Sequence, residues 1–435
     1  MRLQLFNNKV SIYLLLILPV ILVYSPILSN DFLYFWDDQW VVINHYTTGG
    51  LTFENLYRIL TDFYHGQYAP MNELSYLLLY SVFGYNPVAF HLMSLVWHVA
   101  NVLLVYVFIS KMLFLRGGFS KNKILYISFL TSLIFGVHPV NVESVAWVSA
   151  SKVLIYTFFY LLSLLCYLKY VESKKIRYYC LTFLFFIFSF GGKEQAVTLP
   201  LCLLLIDYFV KRDLKDKQVW LEKIPFFLFA LFFGLLTIQS QGDPGNRPVY
   251  AMGQRLMLGC YTLFEYFVKC LIPFKLSYLY PFPMQPGEPL PVRFWIYPFI
   301  IVISLFYLYS HRKNAVLIFF VLFFILHVGV ALHIISLSRF AIVADRYVYV
   351  SCIGLAFLMS YLFVSFYKRI RTKKAVCFLS FLMLLYLFYL GTYTYMYSQQ
   401  WKDSNTLKEN LRELINSRKD IKDHPLLNQK DLNYK

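Results

Sequence analysis

Long apolar runs separated by short polar connections recur from Val10 to about residue 395. A run of about 20 apolar residues is long enough to cross a hydrocarbon core of roughly 30 Å. The pattern predicts about eleven transmembrane helices: 10–29, 88–110, 124–137, 153–170, 178–192, 196–210, 224–240, 293–310, 315–337, 347–367 and 375–395. Three of these, 124–137, 178–192 and 196–210, are shorter than a full crossing. They are expected to extend into their neighbours or to sit beside broken backbone lining a cavity. The first run follows Arg2 and Lys9, exceeds the usual length of a signal-peptide core and lacks an Ala-x-Ala site, so it reads as a retained helix. Residues 254–272 are apolar but carry Glu265 and Lys269. They read as an interfacial or re-entrant helix, since a crossing there would put His311, Arg312 and Lys313 on the outside.

Composition fixes the solvent. The chain is 59% hydrophobic and only 14% charged, against about 25% charged in a soluble domain. Such a chain has too little polar surface to cover a soluble core. The fold class is therefore an all-α polytopic membrane protein, with short interfacial helices in its outer loops. The net charge of +17 gathers in short connections such as Lys174-Lys175-Ile176-Arg177 and Lys368-Arg369-Ile370-Arg371-Thr372-Lys373-Lys374. That placement fits cytoplasmic loops facing anionic lipid and argues against nucleic acid as a partner.

With the N-terminus inside, the cytoplasmic segments carry about twice the Lys and Arg of the longer outer ones. Two large outer loops result, 30–87 and 241–292, within a membrane domain spanning 1–395. Residues 396–435 read as a short external tail with one helix near 404–416. The seven cysteines form no CxxC pair and do not identify a compartment.

Candidate chemistry lies at the outer rim. Trp36-Asp37-Asp38 places two adjacent carboxylates among aromatics just after the first span. Partial burial and like-charge proximity raise a carboxylate toward the range of a general base, whereas the alternative is a solvated helix-capping pair. His65, Gln67 and Tyr68 lie in a Gly/Pro-bracketed turn and are placed either to line a polar pocket or to sit in the interfacial aromatic belt. His138 and Glu143 open the helix that starts at Pro139, where Glu143 also suits the helix dipole.

Lys193-Glu194 occupies a tight outer turn, and Asp345-Arg346 starts the tenth span, seven residues after Arg339. Cations at these positions suit a phosphate; the alternative for each is an internal salt bridge. A carboxylate base and cations around a departing phosphate are what sugar transfer from a lipid phosphate requires. A transporter or flippase would instead concentrate ionisable residues near the midplane, where this chain is mainly Leu, Phe, Val, Ile and Tyr.

The sequence resembles the C-class membrane glycosyltransferases, specifically the transmembrane and tetratricopeptide-repeat O-mannosyltransferases and their bacterial relatives. The resemblance rests on several segments: Trp36-Asp37-Asp38 with Asn44; Gly66-Gln67-Tyr68-Ala69-Pro70; His138-Pro139-Val140 through Glu143-Ser144-Val145-Ala146-Trp147; Lys193 with Ala196-Val197-Thr198-Leu199-Pro200 and Asp207; and Ala344-Asp345-Arg346-Tyr347 with Gly354.

The resemblance implies a polyprenyl-phosphate sugar donor, inverting transfer of mannose or another hexose, and an extracytoplasmic protein or glycan acceptor. It also implies a catalytic Asp in the first outer loop and, for a bacterial chain, an inner-membrane location. By it Asp37 is the first choice as base, with Asp38 orienting the acceptor or binding Mg²⁺ or Mn²⁺, or the two roles are exchanged; Lys193, Arg346, Lys152 and Arg339 contact the donor phosphate. His65, Gln67, Tyr68, His138, Glu143, Glu194 and Asp345 shape the pocket. Two departures stand out. Ser151-Lys152-Val153 replaces the Arg-Lys-Asp usual in the bacterial relatives. The repeats expected after Trp401-Lys402-Asp403-Ser404 do not follow within a sequence that ends at Lys435, which brings a glycolipid or cell-surface glycan forward as acceptor.

Overall fold

The computed structural model describes residues 9–240, 250–332 and 341–417. Helix α1 (Lys9–Tyr24) is followed by three short helices, α2 (Asp38–Val41), α3 (His45–Thr48) and α4 (Phe53–Thr61). Next come α5 (Pro70–Phe83), the long α6 (Pro87–Arg116) and α7 (Lys121–Gly136). The one-turn α8 (Val142–Ala146) precedes α9 (Lys152–Ser173), α10 (Ile176–Gly192) and α11 (Leu199–Phe209). After α12 (Lys217–Leu221) the chain forms α13 (Ile224–Ser240), α14 (Met252–Leu271), α15 (Ile296–Ser310) and α16 (Ala315–Gly329). Helices α17 (Tyr349–Arg369), α18 (Lys373–Gln399) and α19 (Ser404–Ser417) complete it. The strands β1 (Tyr280–Pro281) and β2 (Ala341–Val343) pair antiparallel, with Tyr280 opposite Val343.

The protein is an all-α, multi-pass integral membrane protein. Among the described residues, seven helical stretches are long and apolar enough to cross a bilayer: Val10–Ser29, Pro87–Arg116, Val148–Ser173, Lys217–Gln239, Val292–Ser310, Asp345–Arg369 and Lys373–Gln399. The pair Lys121–Gly136 and Pro139–Ala146, bent by 51°, makes up to eight. Helices α10 and α16 are apolar but shorter, so the expected eleven is not reached by length and composition.

The physical reason lies in broken backbone. A 3₁₀ turn, Glu194–Thr198, takes up the start of the segment expected at 196–210 and leaves α11 only 11 residues. Residues 254–272 do form one helix, α14, whose buried face includes Tyr266 and Lys269, and it falls outside the stretches that qualify as crossings.

Two glycines allow helix backbones to approach near the site. A Cβ at Gly192 would come within 2.9 Å of the Tyr156 backbone nitrogen, so α10 lies tight on α9 just before Lys193. A Cβ at Gly354 would come within 2.8 Å of the Phe320 carbonyl, which holds α17 against α16. The beginning of the first long loop is sewn to the end of α18 and the residues just after it. The Asn30 amide donates to the Ser398 and Trp401 carbonyls at 3.3 and 3.1 Å, and Asp31 N–H donates to Lys402 O at 2.7 Å. Leu407 and Leu411 of α19 are buried.

Candidate active site

Asp37 and Asp38 occupy the turn that opens α2, and their environments differ sharply. Asp38 is fully buried. Its Oδ1 accepts from Ser149 N–H at 3.0 Å and from the Ser149 hydroxyl, and its Oδ2 accepts from Leu33 N–H at 2.7 Å. Burial pushes its pKa up to about 6, against the lowering effect of those hydrogen bonds. Asp37 is half-buried, and among the described residues its carboxylate neither caps the helix nor accepts a side-chain hydrogen bond. It lies close enough to Lys152 and Arg346 to act electrostatically on both.

Three cations gather at this end, Lys152 and Arg346 within electrostatic reach of Asp37 and Lys193 within reach of those two. Lys152, the first residue of α9, donates from Nζ to the Gln67 amide oxygen at 2.6 Å. Lys193, in the break between α10 and α11, is 3% exposed, with Nζ 4.9 Å from the centre of the Tyr347 ring. Burial lowers its pKa to about 8, with Lys152 and Arg346 acting the same way and Glu194 and Tyr347 opposing. Arg346 lies in the turn before α17. Its guanidinium pairs with the buried Glu143 carboxylate, which also accepts from the Arg346 backbone N–H at 2.7 Å. The guanidinium covers the Trp147 ring at 5.3 Å. Trp147 in turn stacks on Trp401 at 6.0 Å and meets Trp36 edge-on at 6.4 Å.

The remaining sequence candidates fall into distinct places. Glu194 is half-buried beside Lys193 and acts on Lys152 as well. Gln67 holds Lys152, whereas Tyr68 donates its hydroxyl to Leu60 O at 2.9 Å and packs against Phe233 of α13. His65 is exposed and packs on Trp40 at 4.9 Å. His138 is buried and caps the 3₁₀ turn Pro139–Asn141 by accepting from Val140 N–H at 3.2 Å. Asp345 is turned away from Arg346 and accepts from the Tyr280 hydroxyl at 3.1 Å, with Lys269 on the same hydroxyl at 2.9 Å. Arg339 lies outside the described residues.

In the departing segment, Ser151 is buried and bonded to Tyr76 and Asn72 at 3.0 and 3.2 Å, and Val153 is fully buried. Those two positions are therefore packed into the protein, and Lys152 alone projects to the cation group.

Sequence reasoning passed over Glu73 and Ser149. Glu73 accepts from the Asn44 amide at 3.2 Å, and burial raises its pKa to about 7 despite that bond and the nearby Lys152. With Trp40, Tyr46 and Gln67 it lines a cavity of about 20 Å³, room for one water. Its place in the first turn of α5 reads in sequence as a dipole-compensating acid. No local signal marks Ser149 as the partner of Asp38. Among the described residues, no group of three or more His, Cys, Asp or Glu is placed to hold a metal ion. Asp38 has both oxygens engaged within the protein, which leaves Asp37 as the more available oxygen ligand of the pair.

No protein-family model matches the chain. Protein O-mannosyl-transferase TMTC2 of Homo sapiens is 32% identical over 162 residues, 36% of this chain and 18% of that protein. Protein O-mannosyl-transferase TMTC4 of Homo sapiens is 35% identical over 157 residues, 32% of this chain and 21% of that protein. Protein O-mannosyl-transferase F38B6.6 of Caenorhabditis elegans is 26% identical over 217 residues, 47% of this chain and 29% of that protein. The matched stretch thus covers less than a third of each of these relatives. Over those stretches the chain is similar to the protein O-mannosyl-transferases of the TMTC group, the family its motifs resemble.

Proposed function

We propose that the chain is a membrane glycosyltransferase that moves a hexose, mannose first among candidates, from a polyprenyl-phosphate donor to an extracytoplasmic protein or glycan hydroxyl. The observation that carries this reading is the half-buried Asp37 carboxylate acting on Lys152 and Arg346, with Lys193 clustered beside those two cations at one end of the bundle. The relatives' names support the sugar chemistry.

In this reading the anomeric carbon lies between Asp37 and the cations. The Asp37 carboxylate takes the proton of the acceptor hydroxyl as the acceptor oxygen bonds to that carbon. The bond from the carbon to the phosphate oxygen breaks, with inversion, and the electron pair leaves on the polyprenyl phosphate. Lys152, Lys193 and Arg346 stabilise the charge developing there. Asp38, fixed by Ser149 and Leu33, is a positioning residue that sets the turn carrying Asp37. Glu143 orients Arg346, and Glu194 tempers the charge of the two lysines. This end of the bundle faces the extracytoplasmic side, as the positive-inside distribution of the loops supports, and in a bacterium that is the periplasmic face of the inner membrane.

The test is sugar transfer by purified protein in lipid, supplied with polyprenyl-phosphate mannose and glucose. Turnover by the wild type that disappears in Asp37→Asn is expected. Undiminished turnover in Asp37→Asn would move the base elsewhere, and a wild type inert with both donors would overturn the reading.

A further inference from the structure

Helix α4 carries an apolar stripe that the described residues leave uncovered. Phe53, Tyr57 and Leu60, at i, i+4 and i+7, are 86%, 59% and 52% exposed. The opposite face is fully engaged: Ile59 is buried, and the Asn55 amide donates to the Tyr46 and Gly50 carbonyls at 2.9 Å each. A third face is charged, with Arg58 and Glu54 paired at 2.5 Å in the open. A helix with core, apolar and charged faces has its apolar face left for a partner.

What covers that face is indicated by its continuity with a lipid-facing helix. The Tyr68 hydroxyl bonds to Leu60 O at 2.9 Å, and its ring stacks on Phe233 of α13 at 6.3 Å. Helix α13 leaves Leu228, Leu231 and Leu235 about 60% exposed, as a crossing helix does toward lipid. Phe233 lies seven residues before the end of α13 at Ser240, so the stack sits roughly 10 Å below that end at 1.5 Å per residue. An interfacial helix buries its apolar face about 5–10 Å into the boundary between headgroups and chains. The depth of the stack matches that range.

We propose that α4 is a membrane-seated helix, its Phe53–Tyr57–Leu60 stripe among the lipid chains of the site-bearing leaflet, and that this seat holds Lys152 in position. The connection runs through a tight turn. Tyr64 and Gln67 exchange both backbone hydrogen bonds, at 3.0 and 2.9 Å, around His65 and Gly66, which both have positive φ. The Gln67 side chain that accepts Lys152 is therefore rigidly coupled to the end of α4. The relevance of the seat to donor use rests on Lys152 meeting the donor phosphate, but the seat and its grip on Lys152 stand apart from that reading.

The full chain in phosphatidylcholine/phosphatidylglycerol liposomes tests both parts. Cys180→Ser and Cys377→Ser remove the exposed thiols, and a fluorophore is attached at Phe53→Cys or, on the charged face, at Glu54→Cys. Spin-labelled lipid is expected to quench the Phe53→Cys probe at least threefold more than the Glu54→Cys probe, and aqueous iodide to do the reverse. Equal iodide quenching at the two sites overturns the seat. So does a Phe53→Cys probe shielded from both quenchers, which would mean a protein covers the stripe.

The grip is read by mass spectrometry as the rate at which Lys152 is reductively methylated in lipid. Phe53→Glu/Leu60→Glu is expected to raise that rate severalfold, and Gln67→Ala to raise it as much. An unchanged rate in the double variant overturns the coupling. Neither readout needs turnover, so failure of the transferase reading and failure of this proposal are separable.

Discussion

At the end of the bundle away from Asp37, Asp207 and Lys223 are both fully buried, 2.6 Å apart, and Arg212, Glu222 and the Tyr167 hydroxyl close the set. Two carboxylates there face two cations, and each is answered inside the protein. Tyr167 lies 15 residues along α9 from Lys152, so the two charge groups are separated by roughly 22 Å of helix. At the Asp37 end, Lys152 and Lys193 have no carboxylate within ion-pair reach among the described residues, and only Arg346 has a partner. Removing an ion from water costs several kcal/mol unless a counter-charge offsets it. The far end meets that cost within the fold and is a brace joining α9, α11 and α13. The near end leaves Lys152 and Lys193 without a close ion pair among the described residues, as the proposed binding of an anionic ligand there would require.

The sharpest test of the contrast lies within the near end itself. Asp37→Asn is expected to reduce turnover by about 10²–10⁴-fold, the range for loss of a general base, with the thermal midpoint unchanged. Asp38→Asn is expected to lower the midpoint, because an amide cannot accept on both sides from Leu33 and Ser149. Turnover assays beside thermal unfolding in detergent separate the two, and reversed outcomes would exchange their roles.

Across the bundle, Lys223→Met leaves Asp207 buried without its nearest counter-charge. That change is expected to destabilise by about 3–5 kcal/mol, with the donor KM of the surviving folded protein unaltered. Lys193→Met removes a buried cation that has no ion-pair partner among the described residues, so stability is expected to hold or rise while donor KM climbs tenfold or more. Equal loss of stability in the two variants would erase the distinction drawn between the ends.

How much of this was readable in sequence follows from the range over which each interaction acts. The apolar runs announced the membrane, because crossing length is a local property. Whereas Lys152 came forward only through the resemblance, Asp37, Lys193 and Arg346 drew attention as charges at the rims of apolar runs, again locally. Their partnerships did not. Asp38 finds Ser149 across 111 residues, Lys152 finds Gln67 across 85, and Arg346 finds Glu143 across 203. Each depends on the register between helices, which hydrophobic periodicity leaves open. Asp345 and Arg346 are adjacent in sequence yet project to different surroundings, because the 3₁₀ turn Asp345–Val348 separates them in direction. The number of crossings was blurred for a related reason: 3₁₀ turns beside the site shorten the apolar helices without altering their composition.

The lowered pKa of Lys193 gives the near end a pH signature. Below about 8 the amine is charged and can offset phosphate; as pH rises through that value the proton leaves and the offset is lost. The kcat/KM for the lipid-phosphate donor reports the free enzyme, and it is expected to fall by up to tenfold per pH unit above about 8. Lys193→Arg should carry the plateau upward, since guanidinium stays protonated. A wild-type plateau extending to pH 10 would remove Lys193 from donor binding.

The smallest expected effect is the one most specific to the geometry. Gln67 contributes no charge, only the amide oxygen 2.6 Å from Lys152 Nζ. A hydrogen bond to a charged group contributes about 1.5–3 kcal/mol at most, and water at this half-exposed position recovers much of it. Gln67→Ala is therefore expected to raise donor KM only about three- to tenfold and to leave kcat within twofold. Gln67→Glu keeps the oxygen and adds a charge that neutralises Lys152, so it should raise KM more than Ala does. If Gln67→Glu instead matches the wild type, Lys152 does not act through its net charge, and the near end would resemble the far one: a set of ions whose partners are already inside the protein.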